Sequence, residues 1–264
     1  MQLICPICGA ELNKEDRNYR CEHNHSFDIA RQGYVNLLPV QNKRSLNPGD
    51  TREQVLARRR FLEGGFYTPI SDALNTLSEC CEGPILDAGC GEGYYSSRLA
   101  KHLNAALTGV DISKEAVRCA AASYKDATWL CASAARLPVA DGAIGLITSL
   151  FAFTDAEEFR RVLKPGGHFI RVLAAPDHLP ELKKVIYETV LHKEKEGMTA
   201  LPGFTLQKVV PVKFTFTVEG QQVQDLLSMT PHVYRISKAG ADRLRQTEKL
   251  TDTASCILGL YKAE

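Results

Sequence analysis

The 264-residue sequence contains no run of about eighteen apolar residues, the length a membrane-crossing helix needs. Its most apolar stretch, Val139 to Phe153, is interrupted by Asp141, Gly142 and Gly145. The opening MQLICPICGAELNKE lacks a basic segment followed by an apolar core, so no secretory leader is expected. Neither sign of charge is in excess. Thirty-two Lys+Arg against 31 Asp+Glu leave a formal charge of +1, so any nucleic-acid affinity must come from local patches and not from a global field. The nine cysteines are odd in number, with Cys80 and Cys81 adjacent, and make no disulfide framework for a chain of this length. Internal repeats and low-complexity segments are absent as well. A composition of 44% hydrophobic and 24% charged residues leaves an ordinary globular protein, expected in a reducing cytoplasm without membrane attachment. The length suits one large domain, or a mid-sized domain with a small one attached.

Three regions emerge along the chain. Residues 1–36 lack the apolar periodicity of a self-sufficient core and carry Cys, His, Asn and Gly instead. Residues 37–69 form a basic connector with a turn at Asn47 to Asp50 and a helical pattern, TREQVLARRRFLEGG. Thr51 followed by Gln54 predicts a capping box there, and Gly64-Gly65 a stop. Residues 70–264 alternate strand and helix: GPILDAGC, AALTGVDIS, ATWLCASAA, DGAIGLITSLFA and HFIRVLAAP read as strands with helices between them. That cadence predicts right-handed βαβ units around a parallel sheet. Beyond His178 the rhythm changes. HLPELKKVIYETVLHKEKEG predicts one long amphipathic helix, and VKFTFTVEG and TASCILGLY predict strands closing one side of the sheet.

Cys5 and Cys8, then twelve residues, Cys21, three more and His25 give C-x2-C-x12-C-x3-H. A tight turn lets each Cys pair present sulfur to one ion, and four such ligands complete a zinc tetrahedron with no open position, which implies a structural metal. His23 is an alternative fourth ligand with a less usual gap. A segment this polar and short needs such a staple to fold.

The second signal is ILDAGCGEGYYS. An apolar strand ends at Asp87, and Gly89, Gly91 and Gly93 let the backbone turn closely under a ligand. A dinucleotide fingerprint would place its third glycine at Tyr94, where there is none. Asp87 would also repel a pyrophosphate while suiting an ammonium-bearing cofactor without phosphates, such as S-adenosylmethionine. Asp111 in GVDIS lies at the tip of the next strand, where a carboxylate can take both ribose hydroxyls. LKPGG, Leu163 to Gly167, supplies the turn before the fifth strand of class I methyltransferases. The expected fold is therefore α/β: a Rossmann-like, mostly parallel seven-stranded sheet of a class I S-adenosylmethionine-dependent methyltransferase, with a small zinc-ribbon-like domain at its N-terminus.

Seven basic residues, Arg31, Lys43, Arg44, Arg52, Arg58, Arg59 and Arg60, face only Asp50 and Glu53 between positions 31 and 60, a local charge of +5. Such a patch beside a zinc module suits RNA phosphates, with Lys43, Arg44, Arg58, Arg59 and Arg60 as candidate contacts. Three successive arginines cannot all face one way on a helix, so at most two of Arg58 to Arg60 are expected on RNA. The alternative is a solvated helix face with snorkelling arginines.

Taken in order, CPIC, CEHNHSFD, GYVNLLPVQ, PGD, ARRRFLEGGFY, LDAGCGEGYYS and VDIS resemble the RlmA family, the guanine-N1 methyltransferases of large-subunit ribosomal RNA. The resemblance runs from residue 1 to about 188, and SMTPHVYR is similar to the family further on. It implies zinc on Cys5, Cys8, Cys21 and His25, and S-adenosylmethionine contacts from Gly91, Glu92, Tyr67 and His178. It also implies a homodimer and a 23S rRNA substrate in the hairpin-35 loop. Of the two family branches, which act on neighbouring guanines, FRRVLKPGG tips the expectation towards the one linked to macrolide-type antibiotic resistance. The third strand departs from the general methyltransferase pattern, because Ser133 stands where an acid often reads the adenine amino group.

The expected reaction is an in-line displacement by guanine N1, after the base has left its stack. N1 carries a proton that must be accepted, and the sequence names no base beyond Asp155 as a candidate. Phe151 and Phe153 in SLFAFTD could stack on the incoming base, although all three residues fit an ordinary core and helix cap. A small-molecule methyltransferase and a non-catalytic rRNA-binding module are the competing readings. The first leaves the zinc module and basic connector without a use, and the second must explain an intact donor motif.

Overall fold

The computed structural model describes residues 1–39, 48–189 and 197–264. The chain begins with three short antiparallel strands, β1 (Asn13–Lys14), β2 (Asn18–Arg20) and β3 (Ser26–Asp28), which form a sheet of their own. The next strand, β4 (Tyr34–Asn36), leaves that sheet and runs parallel to β7 (Thr128–Cys131), pairing Tyr34 with Trp129 and Asn36 with Cys131. The main sheet therefore has eight strands and not the expected seven. Three residues are too few to show a period, which hid this strand from sequence reading.

Helix α1 (Arg52–Glu63) starts as its sequence demands: the Thr51 side chain accepts from the Gln54 amide, and the Gln54 side chain accepts from Thr51 N–H. This reciprocal cap contributes about 1 kcal/mol. The helix buries Val55, Ala57, Phe61 and Leu62 and ends at Gly64. After α2 (Thr68–Leu77) come β5 (Ile85–Ala88), α3 (Tyr94–Leu103), β6 (Leu107–Asp111), α4 (Lys114–Ser123) and then β7. The chain crosses back through β8 (Ile144–Leu150) and α5 (Ala156–Val162) to β9 (Leu163–Ala174). LKPGG is a bulge at the start of β9: Ile144 pairs with Leu163, and the register then jumps to Leu146 with His168.

The expected long helix after His178 is short. Helix α6 spans Pro180–Ile186, the backbone is extended at Tyr187, and the end of the predicted pattern lies outside the described residues. Buried Asp252 accepts from the Glu181 and Leu182 amides at 3.1 and 2.7 Å and so caps this helix from a neighbouring strand. Strand β10 (Phe204–Glu219), α7 (Gln221–Ser228), a 3-10 turn (Pro231–Tyr234), α8 (Lys238–Arg245) and β11 (Lys249–Ala263) complete the chain.

The strand order is β10-β11-β9-β8-β5-β6-β7-β4, with β10 and β11 antiparallel and the others parallel. From β5 the chain builds outward to β6 and β7, then returns to β8 on the other side. Loops therefore diverge at the carboxyl ends of β5 and β8, the place where an open α/β sheet leaves a crevice. The N-terminal module does not stand apart from this sheet. Leu3 bridges to Val139, the Ile4 amide donates to the Pro138 carbonyl at 3.0 Å, and Leu3, Cys5, Leu12 and Cys21 share one buried cluster with Val139 and Ile147. Val35 and Leu37, on either side of residue 36, belong to the same cluster.

Candidate active site and zinc centre

The metal ligands converge. His25 Nδ1 lies 3.5 Å from Cys5 Sγ and 3.4 Å from Cys21 Sγ, and Cys8 Sγ lies 3.7 Å from Cys21 Sγ. All four ligand atoms are within 4.8 Å of one another. A zinc–sulfur bond of about 2.3 Å implies tetrahedral edges of roughly 3.8 Å, so the group fits zinc without rearrangement. His23 is excluded as the fourth ligand, since its exposed ring faces Glu22 at 4.0 Å. Four protein ligands leave no site for chemistry, and the metal's role is to hold the module together.

The crevice above β5 and β8 opens into a cavity of about 1510 Å3. Drug-sized ligands usually occupy about 300–1,000 Å3, so it has room for a cofactor and a second molecule together. Its floor is the glycine turn. Gly89 has φ +88°, and a Cβ there would collide with Ala152; Gly91 has φ +56° and meets nothing nearer than Arg58 Nη1 at 3.7 Å. A side chain at Gly89 would fill the cradle, which is the physical reason for glycine at that position.

Four carboxylates line this cavity: Asp50, Asp87, Glu92 and Asp111. Asp87 is buried and accepts from the Thr148 hydroxyl at 2.8 Å and from the Ser96 hydroxyl. Burial pushes it up to about 6 despite those two bonds. Glu92 is pushed up to about 7 by burial, opposed by the charge of Arg58. Asp111, also raised by burial, accepts from the Gly91 amide at 2.9 Å and the Ser113 amide at 2.8 Å, which fixes its carboxylate at the tip of β6. Each of its oxygens keeps a second lone pair for a ribose hydroxyl. A cavity with this acidity beside its glycine turn suits a cationic, phosphate-free cofactor, so the residues fit S-adenosylmethionine.

The remaining expected contacts lie on the same cavity. Ser133 lines it, its hydroxyl accepting from the Ala135 amide at 3.2 Å. The Tyr67 hydroxyl and His178 Nε2 lie 3.4 Å apart on its wall, and His178 Nδ1 accepts from the Ser255 amide at 3.1 Å. Tyr67 is buried, which raises its phenol well above the ordinary value. Phe151 and Phe153 reach the cavity with exposures of 43% and 61%, large for aromatic side chains. Phe151 holds φ +54°, a conformation disfavoured for a bulky side chain and found mostly where function requires it.

Two expectations are corrected. Asp155 does not line the cavity; its side chain accepts from the Glu158 amide at 3.1 Å and caps α5. Arg58 and Arg60 of α1 are engaged within the fold. Arg58 points into the cavity, pairing with Asp50 and donating from Nη2 to the Met229 carbonyl at 3.3 Å. Arg60 grips both oxygens of buried Asp225 at 2.6 and 2.9 Å, tying α1 to α7. Arg59 is half-buried, paired with Glu63 at 2.8 Å one turn on and 3.6 Å from Cys119 Sγ. Lys43 and Arg44 lie outside the described residues.

Other parts of the cavity wall escape sequence reading. The Pro48–Asp50 turn covers one side, held by the Ser113 hydroxyl donating to the Asp50 carbonyl at 2.7 Å. Met229 to His232 and Tyr234 cover another, and the Tyr234 hydroxyl exchanges hydrogen bonds with the Gln54 side chain at 2.8 and 3.0 Å. PGD and SMTPHVYR stand out in the sequence as motifs, but nothing in them says that they meet.

Residues 3–46 match the family description "RlmA, N-terminal", and residues 85–167 match a general methyltransferase domain. The chain is 37% identical over 205 residues to the 23S rRNA (guanine(748)-N(1))-methyltransferase of Streptomyces fradiae, covering 75% of this chain and 72% of that one. It is 30% identical over 274 residues to YxjB of Bacillus subtilis (strain 168), provisionally named for the same guanine-N(1) reaction, covering 97% and 96%. The chain belongs to the RlmA family. A demethylmenaquinone methyltransferase of Chlorobaculum parvum matches only 42% of the chain, at 30% identity. A structure solved in work on the conversion of a disulfide bond into a thioacetal group during echinomycin biosynthesis has a TM-score of 0.52. It covers 74% of this chain and 81% of that one at 16% identity, a likeness of fold alone. The RlmA-type zinc module and the methyltransferase domain thus occur together here as one packed unit.

Proposed function

We propose that the protein transfers the methyl group of S-adenosylmethionine to N1 of a guanine in 23S rRNA, in the hairpin-35 loop. The observation that carries this reading is a large cavity in which an acidic glycine-turn site and two exposed aromatics share one space, in a chain whose relatives, matched over 72% and 96% of their own length, bear guanine-N1 names. When bound, S-adenosylmethionine supplies a methyl already activated by the sulfonium charge. Asp111 and the glycine turn would orient the donor's ribose, and Glu92 and Asp87 would offset its positive charge. Phe151 and Phe153 would stack on a guanine drawn out of its helix and hold N1 in line with the methyl. Holding both partners in a near-attack geometry is the main catalytic contribution such a site can make, because the donor needs no further activation.

RNA would approach over the surface carrying Arg59, with Lys43 and Arg44 as further phosphate contacts. Among the described residues no helix is long and apolar enough to cross a membrane; a cytoplasmic location and a homodimer follow from the family reading, and sedimentation at micromolar concentration tests the dimer. The small-molecule alternative rests on relatives that match only part of the chain.

Primer extension on large-subunit RNA from cells with and without the protein tests the proposal, because N1 methylation blocks Watson–Crick pairing and stops reverse transcriptase. A protein-dependent stop in the hairpin-35 loop is expected and would also identify the family branch, and with it any link to antibiotic resistance. Absence of any such stop, with donor binding intact, would refute it.

A further inference from the structure

Arg171 on β9 has no role in the account so far. It pairs in register with Ser149 of β8, two residues before Phe151, and it lines the same cavity as Phe151 and Phe153. Its Nε is sealed from solvent and has no hydrogen-bond partner, and among the described residues no carboxylate pairs with its guanidinium. The group that feels its charge is the Tyr261 phenol on β11, whose hydroxyl already donates to the Thr199 carbonyl at 2.9 Å. Arg58, Arg59 and Arg60 each meet a carboxylate; Arg171 is held in the wall of the cavity without one. A guanidinium in a cavity wall with no carboxylate of its own keeps its charge for whatever enters the cavity.

An arginine presents a planar fork of N–H donors, and the base whose edge offers two adjacent acceptors to such a fork is guanine, through O6 and N7. Adenine places an amino donor where guanine has O6, and would be repelled. We infer that Arg171 reads the O6/N7 edge of the target guanine and stabilises the negative charge that gathers on O6 as N1 loses its proton. This rests on the function proposed above. In the step, the N1–H electron pair becomes the N1–CH3 bond, the S–CH3 pair stays on sulfur as a neutral thioether, and the proton leaves to water at the open mouth of the cavity. Arg171 neither gives nor takes a proton. It lowers the energy of the deprotonated base and selects guanine over adenine.

The test uses the full-length protein and synthetic stem-loop RNAs carrying guanine, 7-deazaguanine or inosine at the methylated position, with methyl transfer read as kcat/KM. Inosine retains O6, N7 and N1–H and should remain a substrate. The 7-deaza base loses one acceptor and should cost the wild type about tenfold. Arg171→Gln should lose about a hundredfold on guanine and show no additional 7-deaza penalty. The pH at which its kcat levels off should move upward, a change that a purely structural residue would not produce. Arg171→Lys, which keeps the charge without the fork, should fall between the two. Thermal unfolding of both variants separates misfolding from lost recognition. Equal 7-deaza penalties in wild type and Arg171→Gln, or an unmoved pH profile, would overturn the inference while leaving the methyltransferase reading in place. A wild type that methylates none of the RNAs would remove that reading and this inference with it.

Discussion

Replacing Arg60 with alanine should destabilise the protein and leave its RNA affinity intact, which is the reverse of what a basic run on a connector helix suggests. Arg60 donates from two nitrogens to an Asp225 carboxylate that is only 3% exposed. Without it that carboxylate keeps one side-chain donor, Gln221 Nε2 at 3.2 Å. Removing one partner of a buried pair costs about 3–5 kcal/mol. The Arg60 side chain is itself 52% exposed, however, so water can enter the space it leaves, and about 2 kcal/mol is the better expectation. For a chain of this length that lowers the midpoint of thermal unfolding by about 4 °C. Adding Asp225→Asn should restore part of the loss, since a neutral amide is easier to leave buried than a stranded charge. Arg59→Ala should do the opposite: a stability change within about 0.5 kcal/mol and a shallower salt dependence of RNA binding, by about one unit of slope. Circular dichroism melts and filter binding at several salt concentrations read both. An Arg60→Ala protein that melts normally but loses a unit of salt slope would refute the assignment of Arg60 to the fold.

Asp111→Asn keeps the shape but removes the charge that the ribose hydroxyls would meet, so calorimetry should find donor affinity ten- to a hundredfold weaker, from about 1.5–3 kcal/mol per charged hydrogen bond; a change within twofold would contradict its placement. Glu92 and Asp87 titrate at about 7 and about 6 in the cofactor-free protein. Donor affinity should therefore rise as pH climbs from about 5 to 8, with protons released on binding, and a flat calorimetric profile would argue against an acidic site. The same two groups lower the stability of the cofactor-free protein as pH rises from about 4 to 7, since the folded state holds protons that the unfolded chain has already lost. Elemental analysis should find one zinc per chain, and a chelator or Cys8→Ser should raise hydrogen exchange in residues 1–36 first; unchanged exchange after complete metal removal would refute the staple.

The parts of this structure legible in the sequence are those governed by local chemistry. The four zinc ligands, the capping box at Thr51 and Gln54, and the strand–glycine turn–helix at Asp87 to Tyr94 each depend on residues close in the chain, where spacing alone carries the geometry. What escaped depends on distant partners. The charge on Arg58 and Arg60 is visible, but the carboxylates they meet, Asp50 and Asp225, are not identifiable until α1 has packed against α7 and the 48–50 turn. Asp155 carries the right functional group for a base and sits in the right segment, yet it begins a helix, and a helix start claims a carboxylate for its own amides. The eighth strand failed for a third reason. Tyr34–Asn36 is too short to have a pattern, and only the exposed edge of β7 makes it a strand.

The most direct measurement incubates the purified protein with 23S rRNA and methyl-labelled S-adenosylmethionine, digests the RNA to nucleosides and identifies the labelled one by mass spectrometry. The account predicts 1-methylguanosine at one methyl per RNA. Label in any other nucleoside, or none in RNA that lacks the modification beforehand, would contradict it.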